Sequence, residues 1–374
     1  MSIDPERFAT TGTMKTNPSD IVIPLGRLRD AMQCLVRGFG SAPAEVDAVV
    51  ERLIEANLKG HDSHGIGMLP RYTEAFAEGV LKPNQQLQVV LDTGHLLRLE
   101  GGCGFGQVIG QQAMALAIER AREHGSCITA LGQTHHLGRI GAWAEQVAAA
   151  GMVSIHFVNV VSRAIVAPQG GADARFGTNP FCVGVPLRGR EPLVLDFATS
   201  VIAQGKTRVA HNQGARLEPG CLMDDHGQAS TDPRYAVVPP LGALLTFGGH
   251  KGSGLALMCE LLGGALAAGQ TQRDHEGKQR RVLNGMLSIV LDPARLSGLD
   301  AFEHEAQAFV EWMKASPPRE GHAEVLAAGE PERAVERERR AHGIPVDATS
   351  WAEILQAAGR LGVSAADVQS LAVT

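Results

Sequence analysis

Residues 107–158 read QVIGQQAMALAIERAREHGSCITALGQTHHLGRIGAWAEQVAAAGMVSIHFV. Apolar residues recur at helical spacing over residues 107–123, and Gly125 follows as a helix stop. Three further segments are predicted in order: a strand at 127–131, a helix at 142–150 and a strand at 153–158. Because helix and strand alternate, this stretch predicts a mixed α/β architecture.

The flanking sequence extends the pattern on both sides. Before it, apolar spacing predicts helices at 25–39, 42–58 and 69–78 and short strands at 87–91 and 96–99. After it we expect two strands within 181–197, a helix at 202–211, a surface loop at 213–240, an apolar helix at 254–268, a polar insertion at 271–281 and a strand at 286–291. Helices at 301–314, 331–342 and 349–360 are predicted to complete the chain.

The composition of the 374-residue chain is that of an ordinary soluble globular protein, with 44% hydrophobic and 20% charged residues. The formal net charge of −6 and the lack of a basic stripe argue against a nucleic-acid partner. The N-terminus has no signal-peptide pattern, and the most apolar helical segment is too short to span a bilayer. The six cysteines show no CxxC spacing. We therefore expect a cytoplasmic protein with no membrane partner.

Two glycine-rich loops raise the question of nucleotide binding. The run Gly101-Gly102-Cys103-Gly104-Phe105-Gly106 lies between a predicted strand and a helix, but Gln107 stands where a dinucleotide fingerprint requires glycine. The loop at 248–254 is not a P-loop, because Lys251 precedes Gly252 rather than serine or threonine. It can still favour an anion, since a helix N-terminus and a lysine meet there.

Three loops gather histidine with glycine and small polar residues, and they contain His61-Asp62-Ser63-His64-Gly65, His135-His136 and His250. Imidazole gives and takes protons near neutral pH, so an enzyme is the favoured interpretation. In one hypothesis Ser63 orients His64 and Asp196 polarises it from a strand end. The alternatives are a metal-dependent hydrolase that uses the histidines as ligands, although no HExxH set is present, and a purely structural role.

The chain resembles the malate/L-lactate dehydrogenase family, whose members do not use a Rossmann fold. The resemblance covers residues 25–358, nearly the whole sequence. The matching segments are Gly60-His61-Asp62-Ser63-His64-Gly65-Ile66, Leu69-Pro70-Arg71-Tyr72, Thr134-His135-His136-Leu137-Gly138, Val166-Ala167-Pro168, Gly177-Thr178-Asn179-Pro180, Asp196-Phe197-Ala198-Thr199-Ser200, Gly249-His250-Lys251-Gly252 and Gly329-Glu330. Each segment alone is a weak signal, but all of them in order make a specific match.

The resemblance implies hydride transfer between NAD, or NADP, and a small 2-hydroxy or 2-oxo carboxylate. His64 and His136 are then the candidate proton carriers at the substrate oxygen, with Ser63 and Asp196 as a relay for His64. The segments that correspond to cofactor contacts contain His136, Asn159, Val160, Thr178, Asn179, Asp196, Phe197, His250, Lys251, Gly329 and Glu330. No metal is expected.

One position departs from the commonest family pattern. Many relatives carry an arginine five places after the motif serine, where this chain has Met68. Either Arg71 takes over the substrate carboxylate, or Met68 lines a pocket for a larger apolar side chain, and a bulky or aromatic 2-hydroxy acid is the first candidate substrate. The segment around Ser63 looks most like the hydroxycarboxylate dehydrogenase branch of the family.

The resemblance also implies a homodimer and a division of the chain. A polar arm is expected at residues 1–20. Residues 21–79 together with 292–374 would form a helical unit, and residues 80–291 would form a central cofactor and substrate domain.

Overall fold

The computed structural model describes residues 20–273 and 282–373. Residues 1–19 of the predicted polar arm and residues 274–281 of the predicted polar insertion lie outside the described residues.

The helices and strands are as follows. The first half contains β1 (Ile21–Ile23), α1 (Leu25–Arg37), α2 (Pro43–Leu58), α3 (Leu69–Ala77), β2 (Gln88–Asp92), β3 (Leu96–Glu100), α4 (Gly106–His124), β4 (Ser126–His135), α5 (Gly141–Ala149), β5 (Val153–Val161), β6 (Phe181–Val185) and β7 (Leu193–Phe197). The second half contains α6 (Gln204–Asn212), β8 (Leu222–Met223), β9 (Ala229–Ser230), α7 (Arg234–Val237), β10 (Ala243–Leu244), α8 (His250–Cys259), β11 (Leu283–Leu291), α9 (Pro293–Leu296), α10 (Leu299–Lys314), α11 (Glu330–His342), β12 (Ile344–Val346), α12 (Ala348–Arg360) and α13 (Ala365–Val373).

The centre of the described chain is a seven-stranded mixed sheet in the order β2-β3-β4-β11-β5-β6-β7. β3 and β4 are parallel, whereas the other neighbouring strands are antiparallel. Helices α4 and α5 cover it with an apolar core that includes Ile109, Trp143 and Met286. The prediction of a mixed α/β fold is confirmed. A doubly wound dinucleotide fold would need a mainly parallel sheet, which this is not.

The start of α4 is pressed against the loop that follows β4. A Cβ atom at Gly106 would lie 2.2 Å from the carbonyl oxygen of His136, so only glycine allows this approach. The helix ends at Gly125, whose φ of +87° and N–H bond to the Ala121 carbonyl form a left-handed C-cap. The glycines of this segment thus place α4 and the His136 loop in direct contact.

The N- and C-terminal segments share a second core. β1 pairs with β12 in antiparallel register, and apolar faces of α1, α2, α3, α12 and α13 pack together. The sequence pattern missed α13, because only Val368 and Ala372 of its nine residues are buried and such a short stretch shows little periodicity. Ser364 caps this helix through a bond from the Asp367 amide to its hydroxyl.

The predicted loop at 213–240 is wrong in part, because it contains β8, β9 and α7. β8 and β9 form a three-stranded sheet with β10, and a small core beside it includes Leu217, Leu222 and Ala236 of α7. Strands of two residues leave no period-2 pattern to detect.

The predicted apolar helix at 254–268 is also different in detail. α8 ends at Cys259 and the backbone continues as a π-helix over Glu260–Leu266. A Cβ atom at Gly263 would lie 2.6 Å from the Phe157 carbonyl, so the wider turn rests directly on β5. In the part of the chain that the structure describes, no helix combines the length and apolarity needed to cross a bilayer.

Candidate active site

The loop that carries His64 is held by buried polar contacts at the end of α2. The Asn57 side chain donates to Asp62 Oδ1 at 2.6 Å and accepts from the Ile66 amide at 2.9 Å. Gly65 leaves room for the Asn57 side chain, since a Cβ atom at position 65 would lie 2.1 Å from Asn57 Oδ1. The Arg339 guanidinium on α11 also binds the Asp62 carboxylate, at 2.6 and 3.0 Å. Asp62 therefore shapes the turn that presents His64.

His136 lies just beyond the end of β4, on the loop that Gly106 touches. The Asn284 side chain of β11 accepts a hydrogen bond from the Leu137 amide at 2.8 Å and so holds this loop to the sheet. His64 Nδ1 and His136 Nε2 are 3.2 Å apart, and the two ring planes are inclined by only 16° with centroids separated by 5.3 Å. The structure thus brings together two histidines that are 72 positions apart in the sequence.

Burial is the largest influence on both imidazoles. It lowers the pKa of His64 to about 4; the charges of His61 and Arg139 lower it further, and the charge of Asp196 opposes them. Burial and the neighbouring His64 hold the pKa of His136 well below its ordinary value. Both rings are consequently neutral at pH 7, the state in which one can donate and the other accept.

Asp196 and Ser63, the predicted relay, lie beside this pair without bonding to it. Asp196 is on β7, where its Oδ2 accepts from the Gly141 amide at 2.7 Å. Ser63 packs against the start of α6, since a Cβ atom at Gly205 would lie 2.6 Å from the Ser63 Cβ. Within residues 20–273 and 282–373, His64 bonds to His136 rather than to Ser63 or Asp196. Asp196 acts on His64 through its charge.

A buried ion cluster lies behind Asp196, and the sequence reasoning missed it. Arg139 is 4% exposed and pairs with Glu55 at 3.0 Å and Glu145 at 2.6 Å. Burial alone would raise the pKa of Glu55, but Arg139, Lys59 and Arg52 together lower it to about 2. Arg139 directly follows Gly138, the last residue of the second histidine motif. This position in the sequence was the signal that could have identified it.

The two candidates for substrate recognition occupy different environments. Met68 is 9% exposed and belongs to the N-terminal core. Arg71, on α3, is exposed, and its charge lowers the pKa of His136. Burial and the charge of Arg71 lower the pKa of Arg163, a residue that sequence reasoning did not single out. The charge of Arg71 thus acts on both His136 and Arg163, and the Arg163 guanidinium itself donates to the Ala236 carbonyl at 3.2 Å.

Four predicted cofactor contacts lie near the π-helix. Asn159 and Asn179 are fully buried, and their amides donate to the carboxylate of Glu260 at 3.4 and 2.9 Å. Val160 donates its amide to Asn179 Oδ1, and the Thr178 carbonyl accepts from Thr199. The side chains of Asn159 and Asn179 are thus occupied in shaping the loops. Glu260, which the sequence reasoning missed, is the buried residue whose carboxylate accepts hydrogen bonds from both asparagines.

The other predicted cofactor contacts fall in two places. The ring of Phe197 meets that of Phe247 edge-on at 5.3 Å, just before Gly248 and Gly249, which have φ of +54° and +60°. His250 and Lys251 then stand exposed at the start of α8. Gly329, with φ of +88°, precedes Glu330, whose carboxylate pairs with Lys314 at 2.6 Å where α11 begins.

The hydrolase hypothesis required histidines arranged as metal ligands. Over the described residues, no group of three or more His, Cys, Asp or Glu side chains is placed to hold a metal ion. His135, the neighbour of His136, is buried with its ring edge against Tyr72, at a centroid distance of 5.2 Å. Burial lowers the pKa of His135 to about 3.

Comparison with known proteins identifies the family of this chain. The model of the malate/L-lactate dehydrogenase family matches residues 23–355. The chain belongs to the malate/L-lactate dehydrogenase family. It is therefore an oxidoreductase of that family, as the motif resemblance implied.

Several relatives match most of the length of this chain. Hydroxycarboxylate dehydrogenase B of Escherichia coli (strain K12) is 47% identical, over 92% of this chain and 95% of its own length. The L-lactate dehydrogenase of Cupriavidus necator is 39% identical over 86% of this chain and 93% of its own. Among solved structures, sulfolactate dehydrogenase from Methanocaldococcus jannaschii superposes with a TM-score of 0.82 at 29% identity, covering 93% of this chain and 99% of that one.

Proposed function

We propose that this protein transfers hydride between a nicotinamide cofactor, NAD or NADP, and a small 2-hydroxy or 2-oxo carboxylate. The observation that carries the proposal is the hydrogen-bonded, neutral pair His64–His136 in a chain of this family. The relatives named above act on hydroxycarboxylates, lactate and sulfolactate by their names. A bulky or aromatic 2-hydroxy acid is our first candidate, because an apolar methionine replaces the common arginine at position 68.

The protein's own part in the reaction is to move one proton. Reduction of the 2-oxo group adds a proton to the substrate oxygen, and oxidation of the hydroxyl removes one. A neutral imidazole pair suits both directions, because one ring nitrogen can offer a proton while another receives it. Asp196 stabilises the positive charge that His64 would carry while it is protonated, since its charge raises the pKa of that ring.

Recognition of the substrate carboxylate requires a cation near the histidines. Arg71 is exposed and acts electrostatically on His136, so it fits the role. A guanidinium can grip a carboxylate with two parallel hydrogen bonds.

The loop at the start of α8 fits the anionic part of a dinucleotide. Gly248 and Gly249 adopt left-handed backbone, and Lys251 is exposed beside the helix N-terminus. Amide groups, helix dipole and lysine would all favour phosphate oxygens there. Gly252 has no room for a side chain, because a Cβ atom would lie 2.3 Å from the Phe247 carbonyl. When bound, a nicotinamide ring would supply the hydride acceptor or donor.

A second copy of the chain is the proposed protein partner. The same helical segment that begins at the glycine loop exposes an apolar face outward, at Leu257, Met258, Leu261 and Leu266. An apolar face of this kind favours a protein contact, and the family resemblance implies a homodimer. Leu257→Asp with Leu261→Asp should shift the protein to monomer in sedimentation or light scattering; an unchanged mass would remove this face from the interface.

The direct test is an absorbance assay with NAD and NADP and a panel of 2-hydroxy acids that includes lactate, malate and aromatic members. Absorbance at the reduced-nicotinamide band should rise with at least one acid, and the reverse reaction should consume it. A flat trace with every acid and both cofactors would count against the proposed function. Binding of either cofactor without turnover would instead indicate a non-catalytic binding protein.

A further inference from the structure

A chain of three hydrogen bonds, of which the first two are buried, leads from α4 to the histidine pair. The Gln107 side-chain nitrogen donates to the Tyr72 hydroxyl at 2.8 Å. That hydroxyl is 2.7 Å from His136 Nδ1, and His136 Nε2 is 3.2 Å from His64 Nδ1. Gln107, Tyr72 and His136 are each at most 6% exposed. None of the proposed reaction steps above uses Gln107 or Tyr72.

The orientation of the Gln107 amide sets which group donates and which accepts along this series of hydrogen bonds. In the observed orientation, Gln107 Oε1 has no hydrogen-bond partner among the described residues, and the amide nitrogen donates to the Tyr72 hydroxyl. The opposite orientation would leave both N–H groups of the buried amide without an acceptor. Unsatisfied donors are rarer in protein interiors than under-used carbonyl oxygens. The nitrogen therefore faces the tyrosine.

The remaining directions follow from counting hydrogens. A phenol has one hydrogen, and burial raises the pKa of Tyr72 so that it keeps this hydrogen at neutral pH. Among the described residues the buried Tyr72 hydroxyl contacts the Gln107 amide nitrogen, which can only donate, and His136 Nδ1, so the Tyr72 O–H donates to His136 Nδ1. A neutral His136 must then carry its own proton on Nε2 and donate it to His64 Nδ1. The proton of a neutral His64 is left on Nε2.

We infer that Tyr72 and Gln107 are positioning residues that fix the tautomers of both histidines, with His136 as the donor and His64 Nδ1 as the acceptor. Among the described residues, His64 Nε2 has no hydrogen-bond partner, so its N–H is the group that the pair can offer to a ligand. A donor suits the carbonyl oxygen of a 2-oxo acid. This last consequence rests on the proposed function; the tautomers do not.

Histidine nitrogen NMR of the resting protein tests the tautomers without any turnover. Protein labelled with ¹⁵N-histidine is compared with His64→Asn and His136→Asn to assign the two rings. Two-bond proton–nitrogen spectra at neutral pH should show both rings protonated on Nε2, and in Tyr72→Phe the His136 Nδ1 signal should move as it loses its donor. Protonation of His136 on Nδ1, or identical ring signals in the Tyr72 variant, would overturn the inference.

Kinetics then test whether the fixed tautomers serve the reaction. Tyr72→Phe and Gln107→Leu should each lower kcat for 2-oxo acid reduction roughly tenfold, which is the rate effect expected from the loss of one hydrogen bond. The KM for the acid should change little. Phe105→Leu is the matched control, since Phe105 packs edge-on against Tyr72 at 5.9 Å and has no polar atom. Unchanged kcat in both variants would refute the role in turnover, as would an equal loss in the Phe105 control.

The outcomes separate this inference from the proposed function. If wild-type protein oxidises no acid in the panel, the proposed function fails, and the nitrogen spectra still decide the tautomers. If the protein is active and the spectra show His136 protonated on Nδ1, only the inference fails.

Discussion

His156 provides a sharp test of how burial controls histidine in this fold. It lies on β5 with its ring fully buried, and its nitrogens contact Ser288 Oγ at 2.8 Å and Ser154 Oγ at 2.9 Å. Burial lowers its pKa to about 3. An unfolded histidine titrates near pH ~6.5. The folded and unfolded chains therefore bind different numbers of protons over a wide range of pH.

The sign follows from that difference. Below about pH 6.5 the unfolded chain takes up a proton at position 156 that the folded chain refuses, so stability is lost as the pH falls. Each pH unit changes the free energy of unfolding by about 1.4 kcal/mol for each proton that the unfolded chain binds and the folded chain does not. From pH ~7 to pH ~5 this one residue should therefore remove roughly 2 kcal/mol from the free energy of unfolding.

Urea unfolding of the wild type and His156→Gln at these two pH values measures the effect. Other buried histidines also lose stability in acid, but they do so in both proteins and cancel in the comparison. We expect the acid-induced loss to be about 2 kcal/mol smaller in the variant. His226→Gln, at an exposed histidine, is the control and should match the wild type. Equal acid-induced losses in the wild type and the His156 variant would refute the reasoning.

Three further predictions concern the site. His64→Ala and His136→Ala should each lower turnover by roughly 10²–10⁴, the usual worth of acid–base help, and near-normal steady-state rates would remove the residue from the mechanism. Arg71→Met should raise KM for the carboxylate substrate more than it lowers kcat; a KM equal to that of the wild type would show that another cation binds the acid. Gly252→Ala should weaken cofactor affinity, measured by nicotinamide fluorescence titration, because the new methyl group collides with the Phe247 carbonyl and shifts the loop; wild-type affinity would place the cofactor elsewhere.

Local patterns predicted much of this molecule because the forces behind them act over a few residues. Helix α4 was visible from its repeating apolar positions and from the left-handed glycine at its end. The strands of the sheet were visible from short apolar runs between turns. The histidine motifs also stood out, since glycine and small polar residues around an imidazole mark a loop near a site. The match to the family motifs predicted the malate/L-lactate dehydrogenase family, and this prediction is confirmed.

The contacts that make the site depend on residues far apart in the chain, and no local pattern contains them. His64 meets His136 because Gly106 allows α4 to approach the loop after β4, and because Asn57 and Arg339 hold the turn around Asp62. Two of the antiparallel pairings in the sheet likewise depend on β11, which inserts between β4 and β5 from much later in the chain. Such pairings are chosen by the packing of whole elements, so only the folded chain shows them.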